Sequence, residues 1–239
     1  MKAFVIHAAT LKERGEHMDR MLRSIGMDYE FISEGDADQL TNELLDKYLK
    51  NSNKPDNIRN KLPQASCAIK HFLAYEHIVA RNIEGILIFE DDIILHDNFL
   101  PCFEQSMKEY RKNYAEKSIL ISYEDSTLRF VPRSRREKGR VLYPAKNGRT
   151  TGCYFVNRTA AKAILDQIRN ERCDRPIDWY HNLLFDKGIV ECLWCQPAIA
   201  TQGSFTGTFQ SSLFAKHMNT IKFRWWFKKS YKRLLYWFR

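Results

Sequence analysis

The chain has 239 residues, of which 44% are hydrophobic and 13% aromatic. This is enough apolar material for a packed core, so the composition excludes a disordered protein, and no run of about 18 apolar residues predicts a membrane-spanning helix. The formal net charge is +9, but the segment from 222 to 239 holds seven basic residues and no acidic one. Without those seven charges the rest of the chain is at +2, so the basic character belongs mainly to the C-terminal segment.

The first half of the chain predicts a β-α-β unit followed by two further helices. The unit consists of a strand over Lys2–His7, a helix over Leu11–Ile25 and a strand over Asp28–Ser33, an order that calls for a parallel strand pair. Amphipathic patterns predict the next helices over 38–49 and 66–81, and a polar loop over 51–60 lies between them.

An acidic run follows the second of these helices. In Ile86–Leu95, four apolar residues lead into Glu90, Asp91 and Asp92, and three apolar residues follow. The apolar flank is typical of a strand buried on both faces, and because burying three unpaired carboxylates is costly, the strand should end where they begin. The carboxyl edge of an α/β sheet is where ligands bind. Clustered carboxylates there suit Mg²⁺ or Mn²⁺, although the run alone fits a solvated acidic turn equally well.

The second half continues the alternation of helices and strands. Helices are predicted over 99–114, 159–168 (with Thr159 as a candidate cap) and 177–185, strands over 118–123, 152–157 and 189–194, and loops over the basic segment 133–140 and over 201–210. We see no internal repeat and no low-complexity linker. The economical division is one α/β domain over 1–220 and a basic aromatic tail over 221–239.

Six cysteines are scattered through the chain. This usage favours reduced thiols in a cytosolic compartment. Cys192 and Cys195 form the single C-x-x-C pair, and a four-ligand zinc site normally needs a second pair. Buried thiols in a strand are therefore the favoured interpretation of this pair, ahead of a zinc or redox site.

Five short motifs occur in order between about residues 2 and 213. They are Val5-Ile6-His7 through Glu13-Arg14, Ala65–His71 with Tyr75 and Glu76, Ile86–Leu95, Thr151–Val156 leading to Ala160-Ala161, and Pro176–Trp179 followed by Pro197 and Gln202. Each is weak alone, but together they resemble glycosyltransferase family 25, the bacterial lipooligosaccharide galactosyltransferases and their collagen-modifying relatives. Two departures are Lys70, where the family usually has Ser, and Gln64-Ala65 in place of a common Gly-Glu.

The resemblance implies a GT-A-like, Rossmann-like domain with a mostly parallel sheet that binds a nucleotide sugar. It also implies inversion at the sugar carbon and a divalent metal, Mn²⁺ or Mg²⁺. Asp91 and Asp92 are the expected metal ligands, because a cation there would neutralise the charge on a leaving UDP. The residues expected to bind substrate are Val5, His7, Arg14, His71, Glu90, Asp91 and Gln202. For Arg14, which should meet the diphosphate near a helix N-terminus, the alternative is a solvated helix face.

Inverting transfer also needs a general base for the acceptor hydroxyl. Asp178 is the candidate, because it opens a helix after Pro176. Its alternative role is that of a plain helix cap. Glu124 and Asp125, which follow the predicted strand over 118–123, are the reserve candidates.

The expected function is a metal-dependent transfer of galactose from UDP-galactose to a lipooligosaccharide, lipopolysaccharide or other surface glycan. Another donor such as UDP-glucose stays open. A nucleotidyltransferase is disfavoured because the chain has no Gly-rich phosphate loop. A nucleic-acid-binding protein is disfavoured because no recognised binding motif accompanies the basic charge.

The tail predicts a helix that lies in a membrane surface. On a helix over 222–239, large apolar residues, among them Phe223, Phe227, Tyr231, Leu234 and Phe238, gather on one side, with most of the basic residues opposite. A basic face and an apolar face without spanning length are typical of an interfacial helix. We therefore expect a cytoplasmic protein held peripherally at the inner face of the inner membrane by anionic lipid. Packing of this helix on the domain's own core is the alternative.

Overall fold

A seven-stranded sheet with helices on both faces forms the body of the protein, as seen in a computed structural model. The structure describes residues 2–52, 54, 56–209 and 218–238, and the side chains of the last segment from 225 onward. In chain order the strands are β1 (Lys2–Ile6), β2 (Asp28–Ile32), β3 (Gly85–Glu90), β4 (Ile93–Leu95), β5 (Ile119–Ser122), β6 (Leu142–Ala145), β7 (Cys153–Asn157), β8 (Glu191–Cys195) and β9 (Ala200–Gln202).

Eight α-helices connect or flank these strands in the described part of the chain. They are α1 (Lys12–Ser24), α2 (Asn42–Tyr48), α3 (Leu62–Ala80), α4 (Phe99–Asn113), α5 (Arg158–Asn170), α6 (Ile177–Asp186), α7 (Gly203–Thr206) and α8 (Met218–Trp237). Among these helices, none combines the length and the apolar composition that crossing a membrane requires.

The strand order of the large sheet is β2-β1-β3-β7-β5-β8-β6. Strand β1 pairs in parallel with β2 and β3, and β5 pairs in parallel with β8. Strand β7 runs antiparallel between β3 and β5, and β6 is an antiparallel edge strand. Five of the seven strands therefore share one direction, which confirms the predicted α/β fold with a mostly parallel sheet.

Two apolar cores cover the two faces of this sheet. Alternate residues of β3 enter different cores: Ile86 and Ile88 pack with α3 and α5, whereas Leu87 and Phe89 pack with α1 and α4. This two-sided burial explains why β3 has an unbroken apolar sequence. It also fixes where the strand ends, because the carboxylates of Asp91 and Asp92, which follow the last strand residue Glu90, cannot continue into either apolar core.

Several element boundaries differ from the sequence prediction. Strand β3 ends at the acidic run, as predicted, but the apolar residues after the run form a separate strand, β4, which pairs with β9 in an antiparallel ribbon. Strand β6 was not predicted, and it tolerates Pro144 because it is an edge strand. The segment predicted as a loop over 201–210 contains the end of β9 and the short α7.

The starts of several predicted helices also move, and α3 begins at 62 instead of 66. Thr41 caps α2, which therefore begins at 42 instead of 38, through a hydrogen bond from the Leu44 amide to its hydroxyl. Asn157, not Thr159, caps α5 by accepting from the Ala160 amide. The tail helix begins at 218 instead of 222. Pro55 of the predicted polar loop, Gln210 and the side chains of Lys222, Phe223, Arg224 and Arg239 lie outside the described residues.

Candidate active site

Two adjoining clefts open at the edge of the sheet where β1 and β3 end. Their volumes are ≈ 400 and ≈ 760 Å³, and both are lined by Arg14, Cys67 and Glu90. The smaller cleft lies among the start of α1, the segment 36–38 after β2, and α3. The larger cleft extends to segment 174–179 and to segment 202–205. Because β1 and β3 are parallel, their carboxyl ends bring residues distant in sequence to this one edge.

Asp91 joins the end of β3 to the start of α1. Its Oδ2 lies 2.9 Å from His7 Nδ1 and accepts from the Ala8 amide at 3.3 Å, and its Oδ1 accepts from Arg14 Nη1 at 2.9 Å. Burial acts to raise the pKa of Asp91, but the His7 hydrogen bond and the Arg14 charge outweigh it and hold that pKa below its usual range. The predicted group of His7, Arg14 and Asp91 is thus brought together, and Arg14 is buried rather than on a solvated helix face.

Asp92 has a different environment although it is the next residue. Only 4% of it is exposed, and its Oδ2 accepts from the Ser204 amide at 3.2 Å. Its Oδ1 has no hydrogen-bond partner among the described residues. Burial, with a contribution from the Glu90 carboxylate, raises the pKa of Asp92 to about 6. A buried carboxylate oxygen without a partner, at the wall of a cleft, fits a hard divalent cation better than the already engaged Asp91 does.

Glu90 lies between the two clefts. Its Oε1 accepts from the Thr151 hydroxyl at 2.6 Å, and its Oε2 accepts from Gln202 Nε2 at 2.7 Å. Burial raises the pKa of Glu90 to about 7. The predicted substrate residues Glu90 and Gln202 therefore contact each other, and Gln202 orients the Glu90 carboxylate.

Asp178 shares the larger cleft with Asp92. Asp178 lies in the first turn of α6, and the N-cap residue of that helix is Pro176. Asp178 is therefore not the cap residue. Burial raises its pKa, and the neighbouring Trp179 is 64% exposed at the lining of the same cleft.

The reserve bases lie away from this surface. Glu124 is fully buried, where its carboxylate accepts from the Gly152 amide at 2.8 Å and from the Ser126 hydroxyl. Asp125 is 1% exposed and is paired with Lys229 of α8 at 2.9 Å. Both residues support the loop that holds Gln202. Ser126, which donates to Glu124, accepts from the Gln202 amide at 3.0 Å, and Asp125 accepts from the Thr201 hydroxyl. Their burial argues against either acting on an acceptor.

Two residues expected to bind substrate occupy other positions. Val5 is fully buried in the core on the α1 side of the sheet, so its side chain packs and does not face a ligand. The motif resemblance identifies the segment around Val5 but not the direction of each side chain. In a strand, successive side chains point to opposite faces of the sheet, and Val5 points into the core. His71 is also fully buried, behind Glu90, with its Nδ1 2.7 Å from the Tyr154 hydroxyl.

Sequence reasoning did not identify several residues that build the site. Thr151 and Ser204 contact the acidic run, and Lys70 donates through its ammonium group to the His7 carbonyl and to Asp36. Asp36 in turn accepts from the Ala9 amide at 3.1 Å, which ties the loop after β1 to α3. The one signal in the sequence was Lys70 itself, a basic residue on a mostly apolar helix at a position where the resembled family usually has Ser.

A family model described as "Glycosyltransferase family 25 (LPS biosynthesis protein)" matches residues 1–180. The chain belongs to glycosyltransferase family 25. This confirms the resemblance seen in the motifs, and the match contains every predicted site residue except Gln202. The general prediction of a glycosyltransferase is thereby confirmed at the level of the family.

Individual proteins resemble the chain more distantly. The lipooligosaccharide biosynthesis protein lex-1 of Haemophilus influenzae is 26% identical over 152 residues, which covers 58% of this chain and 49% of that protein. The chain spans about half to three fifths of the curated relatives that it matches. Among solved structures, mouse xyloside xylosyltransferase 1 aligns over 79% of this chain and 70% of its own, with a TM-score of 0.35 and 10% identity. A UDP-glucose pyrophosphorylase aligns over 82% and 72%, with a TM-score of 0.36 and 12% identity.

Proposed function

We propose that this protein transfers a sugar, in the first instance galactose from UDP-galactose, to a lipooligosaccharide or lipopolysaccharide acceptor. The observation that carries the proposal is Asp92, a buried carboxylate that lacks a partner for one oxygen in the described part and shares a cleft with Asp178. Asp92 suits a ligand for a cation beside a nucleotide diphosphate, and Asp178 suits a general base beside an acceptor. Membership of the family supports the same reaction class.

The smaller cleft is the proposed place of the nucleotide. It lies at the start of α1, where backbone amides and the helix dipole favour an anion. The side chain of Arg14 lines both clefts and adds a positive charge. Asp92, with Asp91 as a second ligand, would hold Mn²⁺ or Mg²⁺, and the bound ion would supply positive charge to the leaving diphosphate.

The larger cleft is the proposed place of the acceptor. In an inverting transfer, the acceptor hydroxyl oxygen bonds to the anomeric carbon as the bond from that carbon to the UDP oxygen breaks. Asp178 takes the hydroxyl proton, and its raised pKa brings it closer to the operating pH of a general base. The exposed indole of Trp179 offers an apolar surface for a sugar ring at the same cleft.

A panel of nucleotide sugars tests this proposal. The protein is incubated with UDP-galactose, UDP-glucose and other donors, with and without Mn²⁺, while thermal unfolding and release of UDP are measured. We expect UDP-galactose to raise the unfolding temperature and to be turned over only with the metal. A response to UDP-glucose alone would make UDP-glucose the donor in place of UDP-galactose. No response to any nucleotide sugar would overturn the proposed function.

We further propose that α8 holds the enzyme at the anionic inner face of the inner membrane, on its cytoplasmic side. One side of this helix contacts the domain through Lys229 with Asp125 and through Trp237 with Arg133. The other side carries an apolar stripe of residues that are between 57% and 80% exposed, namely Phe227, Tyr231, Leu234 and Phe238. An acceptor anchored in lipid is confined to that surface, so placing the enzyme there favours encounter. Nucleic acid is not proposed as a partner.

A further inference from the structure

A second cluster of ligand-type atoms lies beside the site already described. Cys67 and His71 are four residues apart on α3, so both lie on one face of that helix. Glu90 at the end of β3 completes the cluster, and the three ligand atoms all lie within 4.8 Å of one another. This group contains a thiol and an imidazole, which distinguishes it from the all-oxygen pair of Asp91 and Asp92.

His71 presents a nitrogen to this cluster that has no other use in the described structure. The residue is fully buried, and its Nε2 has no hydrogen-bond partner among the described residues; the Glu90 carboxylate is 3.6 Å away. Leaving such a nitrogen without a partner inside a protein is costly. A ligand for Nε2 would remove that cost.

A buried chain of hydroxyl groups fixes the other nitrogen of the same ring. Nδ1 of His71 lies 2.7 Å from the Tyr154 hydroxyl, which lies 2.6 Å from the Tyr75 hydroxyl, which lies 2.8 Å from His181 Nε2. One consistent assignment has His71 Nδ1–H donate to Tyr154, Tyr154 donate to Tyr75, and Tyr75 donate to His181. In that assignment His71 Nε2 carries a lone pair directed at Cys67 and Glu90. The hydrogen bond at Nδ1 fixes the orientation of the ring, as it does in metal-binding histidines.

We propose that Cys67 Sγ, His71 Nε2 and the Glu90 carboxylate form a Zn²⁺ site in the wall between the two clefts. A thiolate, an imidazole and a carboxylate suit zinc, whereas the oxygen ligands of Asp92 suit Mn²⁺ or Mg²⁺. Zinc bonds of about 2.0–2.3 Å place ligand atoms roughly 3.5 Å apart in a tetrahedron. The separation of 3.6 Å between His71 Nε2 and Glu90 already matches this, and the other separations would contract from at most 4.8 Å. Binding forms a zinc–sulfur bond and releases the thiol proton to solvent.

The site leaves its fourth position toward the clefts, because Cys67 and Glu90 line both of them. Zinc would also engage Glu90, which otherwise binds Thr151 and Gln202. We therefore expect Zn²⁺ to inhibit transfer. The expected inhibition rests on the proposed transferase function, whereas the binding of Zn²⁺ does not.

Cobalt spectroscopy of the full chain tests the binding, since Co²⁺ replaces zinc and a thiolate ligand adds a strong charge-transfer band in the near ultraviolet. We expect one equivalent of Co²⁺ to produce this band and Zn²⁺ to abolish it. Cys67→Ser should lose the band, whereas the control Cys102→Ser, which changes a free cysteine on α4, should keep it. Asp92→Asn should also keep it, because Asp92 belongs to the separate oxygen site.

Absence of the band in the wild-type protein, or its survival in Cys67→Ser, would overturn the proposal. Loss of the band in Asp92→Asn would also overturn the proposal. Thermal unfolding confirms that each variant is folded. Inhibition is measured separately, as UDP release with increasing Zn²⁺ at fixed Mn²⁺. A cobalt band in a protein that turns over no nucleotide sugar would refute the proposed function and leave the zinc site standing.

Discussion

Asp92 is a residue whose burial and charge oppose each other in the metal-free protein. Its pKa is raised from 3.8 to about 6, so the folded state binds a proton more tightly than the unfolded chain does. Stability contributed by the protonated form is therefore present below pH 3.8 and is lost as pH rises through about 6, by at most roughly 3 kcal/mol at 1.36 kcal/mol per pKa unit. The Asp92→Asn variant has no ionisable group at this position and should not lose this stability. The unfolding free energy of the variant minus that of the wild type should therefore increase from pH 4 to pH 7.5.

The same variant tests the metal. Mn²⁺ competes with the proton for Asp92, so the rise in unfolding temperature on adding Mn²⁺ should grow with pH through about 6 and then level off. Asp92→Asn should abolish that rise and nearly all donor turnover, whereas Asp97→Asn, at an exposed position nearby, should retain both. A metal response that is unchanged in Asp92→Asn would remove this residue from the site.

Asp178 is tested by a variant that keeps its shape. Asp178→Asn should lower transfer by about 10²–10⁴-fold, the usual contribution of a general base. The unfolding temperature and UDP-sugar binding should change little, because asparagine keeps the shape of the side chain and can accept the same backbone hydrogen bonds in the first turn of α6. The control is Asp186→Asn at the exposed end of the same helix. Normal turnover in Asp178→Asn would assign the base to another residue of the cleft.

Individual side chains could be predicted from the sequence only where local chemistry decided their role. The acidic run had to leave the apolar core because unpaired carboxylates are costly there, and that placed Glu90, Asp91 and Asp92 at the clefts of the sheet edge. The difference between Asp91 and Asp92 could not be predicted. It depends on His7 and Arg14, which are 84 and 77 residues away from Asp91 along the chain.

At the scale of elements, Asn157 joins three parts of the fold. Its Oδ1 caps α5 and also accepts from the Ile119 amide, and its Nδ2 donates to the Lys117 carbonyl and the Tyr110 hydroxyl. Asn157→Ala removes the cap, worth about 1 kcal/mol, and leaves buried partners unsatisfied at about 1–3 kcal/mol each. Chemical denaturation should therefore show a loss of several kcal/mol.

A second cap provides the comparison. Thr41 caps α2 at an exposed position through one hydrogen bond, so Thr41→Ala should cost only about 1 kcal/mol. Equal losses in the two variants would mean that the contacts of Asn157 beyond α5 contribute nothing to stability.

Most of the elements themselves were predicted from the local pattern of apolar residues. Helices α1, α3, α4 and α5 and the strands β1, β2, β3, β5 and β8 all correspond to predicted segments. The place of β7 between β3 and β5 was not predicted, because antiparallel insertion of a later strand depends on contacts across the sheet and not on local pattern. Strand β6 was missed because Pro144 disfavours a strand in sequence, and its edge position removes that penalty.

At the scale of the whole molecule, the tail is linked to the candidate active site. Lys229 of α8 pairs with Asp125, and Asp125 accepts from the Thr201 hydroxyl. The next residue along, Gln202, donates to Glu90. Removing the entire tail would therefore also leave the buried Asp125 charge without its partner, at a cost of several kcal/mol, so truncation after Thr220 tests both anchoring and support of the loop.

Substitution of the outward stripe of α8 separates these two roles. Changing Phe227, Tyr231 and Leu234 together to Ser removes exposed apolar area without touching Lys229 or Trp237. The unfolding temperature should stay close to that of wild type. Sedimentation with anionic vesicles should fall sharply, because the apolar contacts add to an electrostatic attraction of about 1 kcal/mol for each basic residue near the surface.

Activity on two acceptors completes that test. The stripe variant should transfer sugar slowly to a lipid-bound acceptor and at the wild-type rate to a short soluble one, since the clefts are unchanged. Lys229→Ala is the counterpart, because it keeps the stripe and removes the ion pair with Asp125. That variant should unfold earlier and lose activity on both acceptors. If the stripe variant binds vesicles as well as wild type does, the tail is a support for the domain and not a membrane anchor.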